Sequence, residues 1–179
     1  MKFKPTPLAG VWEIWPEYLE DERGAFARTS CVDEFRAHGL KANWSQCSIS
    51  WNVRKYTLRG MHYQAAPYGE HKLVRCTMGT VFDVAVDLRT DSATRYQWHS
   101  LALSSANRAA LYIPPGVAHG FLTLEEHAEV FYQICEPYQP GAGRGVRWDD
   151  PAFGIQWPAE PACIADRDAT YELIRRTPE

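Results

Sequence analysis

The chain has 179 residues, 45% hydrophobic and 23% charged, which suits one globular domain over residues 1–179 with a sizeable core. A formal net charge of -3, with no block of like charges, argues against a nucleic-acid partner, which favours a basic face. No run of about 18 apolar residues offers a membrane span. The first residues lack the apolar core of a signal peptide, and five cysteines without a Cys-x-x-Cys pair predict neither a disulfide framework nor a zinc ribbon. The expectation is a cytoplasmic protein with reduced, mostly buried thiols.

In chain order, the first regular element is a short helix after Ser30. Ser30 is its candidate cap, Asp33 and Glu34 suit its first turn, and Gly39 suits its end. Residues 59–64 read as a strand with Arg59, Met61 and Tyr63 on one face and Gly60, His62 and Gln64 on the other. The segment from Lys72 puts Lys72 with Val74, Cys76 and Met78. Met78-Gly79-Thr80 then reads as a turn. Residues 81–88 alternate, with Phe82, Val84, Val86 and Leu88 on one face and Asp83 and Asp87 on the other. Residues 96–103, 110–114 and 128–135 are strand-like, and one short helix is expected near 166–175. Many short strands with Pro and Gly punctuation indicate a sandwich, jelly roll or barrel.

Four side chains stand out as chemistry. His62 is either a structural strand histidine or a reactive one. Lys72 either snorkels out at its strand's start or points inward, where it needs an anionic partner. His119 follows a Pro-Pro-Gly turn in a Pro-x-Gly-x-x-His arrangement, the form of a cupin's second motif. A metal-binding cupin also has a His-x-His pair, where this chain reads His62-Tyr63-Gln64, so no bound metal and no cofactor is expected. Tyr132 shares a face with Ala128, Val130 and Ile134, which fits a core tyrosine or an inward acid.

Several segments carry a resemblance. They are Asp21-Glu22-Arg23-Gly24-Ala25-Phe26, Leu58-Arg59-Gly60-Met61-His62-Tyr63-Gln64, Lys72-Leu73-Val74-Arg75, the run from Asp83 to Arg89, Pro115-Gly116-Val117-Ala118-His119-Gly120-Phe121, and Trp148-Asp149-Asp150-Pro151. In order and spacing this set resembles the dTDP-4-dehydrorhamnose 3,5-epimerases. The resemblance implies a mainly β, cupin-type jelly roll with a few short peripheral helices, a homodimer and a metal-free site. It implies His62 as the base that removes a proton beside a sugar ketone, oriented by Asp168, with Asp166 as a rival. It implies Tyr132 as the acid on the opposite face, and Lys72 with His119 near the ketone oxygen. Arg23, Gln46 and Arg59 match nucleotide or phosphate contacts, Tyr138 an aromatic that stacks on the base, and Phe26 one that reaches a partner subunit's site. Arg28 stands where the family usually has an acidic residue, and Gly143 where Glu is common, so the resemblance does not fix the base.

The chemistry fits these residue types. A C–H beside a ketone is a weak acid, so the enolate needs fixed positive charge or donors. A histidine near neutral pKa, held in one tautomer by a carboxylate, suits the base. The implied activity is epimerisation at C3 and C5 of a nucleotide-linked 4-keto-6-deoxyhexose. The alternatives are a single-centre epimerase, a non-catalytic sugar- or nucleotide-binding cupin, and a metal-dependent cupin enzyme.

Overall fold

The computed structural model describes residues 1–174. Among the described residues fourteen strands and two short helices follow one another. The first are β1 (Lys2–Pro5), β2 (Trp12–Trp15), β3 (Tyr18–Asp21), β4 (Gly24–Ala27), α1 (Val32–Ala37), β5 (Gln46–Asn52), β6 (Thr57–Gln64) and β7 (Lys72–Met78). Then come β8 (Thr80–Asp87), β9 (Trp98–Ser104), β10 (Ala110–Ile113), β11 (Val117–Thr123), β12 (Ala128–Ile134), β13 (Gly143–Gly145), β14 (Cys163–Ile164) and α2 (Asp166–Ala169). One antiparallel sheet runs β1-β2-β10-β7-β12-β5 and a second runs β13-β6-β11-β8-β9, with β14 parallel to β6. The two face each other in a cupin-type jelly roll, and β3 and β4 form a separate hairpin.

The core sits between the sheets. Val74, Cys76, Leu111 and Val130 of the first sheet pack against Val81, Ala85 and Phe121 of the second. The outer faces are covered too. Phe35 of α1 closes on Ile14, Leu73 and Tyr112, and such full burial of a large apolar side chain contributes about 1.5–3 kcal/mol. Val146 and Phe153 close on Met61, Val84, Val86 and Ala118. Every residue of β11 is therefore buried, the polar His119 and Thr123 included, which explains why its apolar residues do not alternate. Among the described residues no helix is long and apolar enough to cross a membrane.

The structure revises several expectations. The cap residue of α1 is Cys31, without a side-chain cap, because the Ser30 hydroxyl instead accepts the Trp44 indole N–H at 2.9 Å. Gly39 does end that turn, with φ 70°. The late helix is only Asp166–Ala169, since the following chain is drawn into tertiary contacts such as Ile174 N–H to Asp150 at 2.6 Å; residue 175 lies outside the described residues. The thiols are free but not mostly buried. Cys76 and Cys135 are enclosed, Cys31 and Cys163 are half-buried, and Cys47 is exposed on the edge strand β5. The face of β8 that carries Asp83 and Asp87 is buried, as the apolar one is. Asp83 lies in the interior, while Asp87 gathers Arg89, Ser92 and Thr94 at the strand's end.

Candidate active site

One end of the space between the sheets opens into a cavity of about 750 Å³, a volume suited to a small-molecule ligand. His62, Arg59, His119, Lys72, Tyr132, Gln46, Tyr138 and Asp168 all line it. Strands β6 and β11 of one sheet supply His62 and His119, whereas β7 and β12 of the facing sheet supply Lys72 and Tyr132. Groups thus approach the cavity from both sides.

The pairing of β6 with β11 explains an unexpected placement. The register runs His119 opposite His62 but Phe121 opposite Arg59, so β6 carries one extra residue there. This bulge turns Arg59 to the cavity side with His62, away from the face of Met61 on which strict alternation put it. The strands meet at two glycines. A Cβ on Gly60 would lie 2.5 Å from the Gly120 Cα, and one on Gly120 would lie 2.6 Å from the Met61 sulfur. Gly60 also sits at φ 137°, a region that L side chains avoid. The Arg59 guanidinium is then held by Nε–H donation to Asn52 Oδ1 at 2.7 Å.

His62 is half-buried, and its Nε2–H donates to Asp168 Oδ1 at 2.8 Å. The other carboxylate oxygen accepts the Gly60 N–H at 3.1 Å, so the bulge also fixes Asp168. Burial opposes ionisation of Asp168, yet the hydrogen bond and charge of His62, the Gly60 N–H and the Arg167 guanidinium hold its pKa below the ordinary value. Asp166, the rival, is exposed and its backbone carbonyl accepts from Thr170. With Nε2 committed to Asp168, the other ring nitrogen of His62 keeps the lone pair.

The second pair is His119 with Asp83, at 2.8 Å and fully enclosed. Burial raises the Asp83 pKa, against the pull of His119 and Lys72. The Tyr132 ring meets His119 edge-on, with centroids 5.9 Å apart. Burial pushes the Tyr132 phenol well above its usual range, the Asp83 charge adds to this, and Arg59 opposes it. Its hydroxyl therefore holds its proton. Lys72 does point inward, and its anionic partner is Glu70 at 2.8 Å. Among the described residues no three His, Cys, Asp or Glu side chains converge to hold a metal ion.

Two expected contacts lie elsewhere. Arg23 and Phe26 sit on the β3–β4 hairpin, both strongly exposed and away from this chain's own cavity, with Arg23 ion-paired to Asp21. Arg28 is also outside it, paired with Glu34 of α1, whereas Gly143 does line the wall. Conversely, Glu70, Asp83, Arg167 and Tyr171 were missed. Glu70 and Asp83 carried a signal, the first by standing two positions before Lys72, which needs an anionic partner if it points inward, and the second by standing opposite an apolar face. Arg167 and Tyr171 carried none. Arg167 Nη2 lies 3.3 Å from His62 Nε2, and the Tyr171 ring rests 2.2 Å from where a Gly145 Cβ would be, edge-on to His62.

The comparisons with known proteins agree with this geometry. The family model described as dTDP-4-dehydrorhamnose 3,5-epimerase matches residues 5–176. A curated relative of that name from Sinorhizobium fredii is 41% identical over 179 residues, covering 99% of this chain and 92% of the relative. A solved dTDP-4-dehydrorhamnose 3,5-epimerase from Elizabethkingia anophelis superposes with TM-score 0.93 at 34% identity, over 97% of this chain and 96% of that one. The Legionella pneumophila enzyme RmlC, solved in complex with dTDP-4-keto-L-rhamnose, superposes with TM-score 0.89 at 33% identity, over 96% and 92%. This chain belongs to the dTDP-4-dehydrorhamnose 3,5-epimerase family.

Proposed function

We propose that the protein inverts C3 and C5 of a dTDP-linked 4-keto-6-deoxyhexose by proton transfer through an enolate. One observation carries this reading: a histidine held by a buried aspartate stands on one sheet, and an inward tyrosine and lysine stand on the other, around one cavity. His62 removes the proton beside the ketone, and Asp168 fixes its tautomer and stabilises the imidazolium. Lys72 and His119 stabilise the oxygen of the enolate. Tyr132, approaching from the facing sheet, returns a proton to the other face of the ring. A 4-keto group acidifies both neighbouring carbons, so one set of residues serves both inversions.

Arg59 and Gln46 hold the diphosphate, and Tyr138 stacks on the base. The dTDP carrier is supported by the sugar nucleotide in the Legionella pneumophila relative. The hairpin's Arg23 and Phe26 act in the cavity of a partner subunit. Leu19 and Phe26 form an exposed cross-strand apolar pair that a second copy would cover, which supports a homodimer. Each subunit is one domain, and free thiols in all five cysteines support a cytoplasmic location.

The test is incubation with dTDP-4-keto-6-deoxyglucose in deuterated water, read by mass spectrometry and NMR. Deuterium at both C3 and C5 is the expected result. Deuterium at one carbon would mark a single-centre epimerase. No incorporation with dTDP, CDP, GDP or UDP sugars would leave a binding protein.

A further inference from the structure

Between the base end of the cavity and Lys72 runs a buried chain of polar contacts that the epimerisation scheme above does not use. The backbone N–H of Gln139 donates to Gln64 Oε1 at 3.2 Å. Gln64 Nε2–H donates to Glu70 Oε2 at 2.9 Å. Glu70 Oε1 in turn holds the Lys72 ammonium at 2.8 Å. Gln64 and Lys72 are buried, and the Glu70 side chain is only 10% exposed. The three side chains come from the end of β6, the loop after it and the start of β7, so they bridge the two sheets. Gln139 is the neighbour of Tyr138 on the cavity wall.

We propose that Glu70 is the positioning residue for Lys72, and that through Gln64 it ties the ammonium's place to the loop that carries Tyr138. This rests on the reading of Lys72 as the group that faces the ketone oxygen. The chemistry of the chain requires a carboxylate at its centre. Glu70 has a donor on each side, the Gln64 amide and the Lys72 ammonium. A carboxylate accepts with two oxygens, whereas a glutamine has one acceptor oxygen and would set its own N–H₂ against a donor. A lysine is a flexible point charge on four methylenes, so its stabilising effect on an enolate depends on being held. Glu70 also offsets part of the positive charge that Lys72 presents. If that damping were its main effect, removing the carboxylate would speed the reaction; if placement is the main effect, removal slows it.

The experiment compares wild type, Glu70→Gln, Glu70→Asp, Gln64→Leu, Lys72→Met and Glu70→Gln/Lys72→Met, with melting temperature and dTDP binding as checks of folding. Glu70→Gln is expected to lower kcat on dTDP-4-keto-6-deoxyglucose on the order of 100-fold, the scale of a misplacement of about 1 Å, with KM little changed. Glu70→Asp, which keeps both acceptors, should recover part of that loss, and Gln64→Leu should show a smaller loss of the same kind. The double variant should be no slower than Lys72→Met alone, because both changes remove one function. Acetic anhydride labelling of Lys72, read by mass spectrometry, should rise in Glu70→Gln, and this readout does not depend on turnover. Rising labelling in an enzyme that handles no 4-keto sugar would uphold the positioning and remove the proposed activity. A Glu70→Gln enzyme as fast as or faster than wild type, losses that multiply in the double variant, or unchanged labelling would overturn the proposal.

Discussion

Two histidine–aspartate pairs lie side by side, for His62 and His119 are direct partners across β6 and β11. Both pairs measure 2.8 Å, yet they are built differently. His62 is 32% exposed to the cavity and its aspartate takes a further bond from the Gly60 N–H. His119 is 5% exposed, and Asp83 Oδ2 has no hydrogen-bond partner among the described residues. The consequence is opposite: the Asp168 pKa is lowered and that of Asp83 is raised. The same two residue types therefore make a reachable pair whose carboxylate is held below its ordinary pKa in one place and an enclosed pair whose carboxylate is held above it in the other. Access to the cavity and the count of donors around the carboxylate decide which is which.

The largest test of this contrast is His62→Ala. It should lower proton exchange roughly 10²–10⁴-fold, the usual contribution of a positioned base, while dTDP binding by calorimetry stays near wild type. His119→Asn should retain exchange at a reduced rate. Equal losses in the two variants would erase the distinction between the pairs. Asp168→Asn should cost on the order of 100-fold in kcat, because an amide no longer fixes the tautomer or stabilises the imidazolium.

The two aspartates should also pull stability in opposite directions with pH. Asp168 has a depressed folded pKa, so its contribution is present above its unfolded value of about 3.9 and is lost as pH falls through the folded one. Asp83 has a raised folded pKa, so its cost is absent at low pH and grows as pH rises from about 3.9 toward the folded value. In urea titrations from neutral to acid pH, wild type should lose its advantage over Asp168→Asn and gain relative to Asp83→Asn. Shifts of one sign in both variants would contradict the assigned directions.

Tyr132→Phe sharpens the comparison from the other sheet. Exchange at one carbon should persist through His62 while full inversion slows roughly 100-fold, seen as singly deuterated sugar. Unchanged formation of the doubly inverted product would remove Tyr132 as the acid. The smallest effect is expected from Arg59→Ala, which touches neither pair. It should weaken dTDP binding by about 1–3 kcal/mol, the scale of a lost charge-assisted hydrogen bond, with the exchange pattern unaltered. An unchanged affinity would place the diphosphate elsewhere.

Much of the molecule was legible beforehand. Period-two alternation gave the faces of β7 and β8, Gly79 marked the turn between them, the segments of β9, β10 and β12 read as strand-like, and the resemblance put His62, Lys72 and His119 at one site, whereas β1 to β5, β13 and β14 went unread. These features are local: a strand's faces, a turn's backbone and a residue's chemistry follow from a few neighbours in sequence. What alternation could not give was anything set by contact between distant segments. The bulge that turns Arg59 inward exists because Gly60 and Gly120, 60 positions apart in number, abut across two strands. The choice of Asp168 over Asp166 follows from the tail folding back onto β6, 106 residues from His62. Tyr171 gains its place from the missing side chain at Gly145, and the length of the last helix is cut by its packing. The sequence by itself determined which residues could do chemistry and which strands would carry them. Only the tertiary structure decided which histidine is open, which aspartate is held below its ordinary pKa and which charge faces which, because burial and hydrogen-bond count are properties of the assembled cavity.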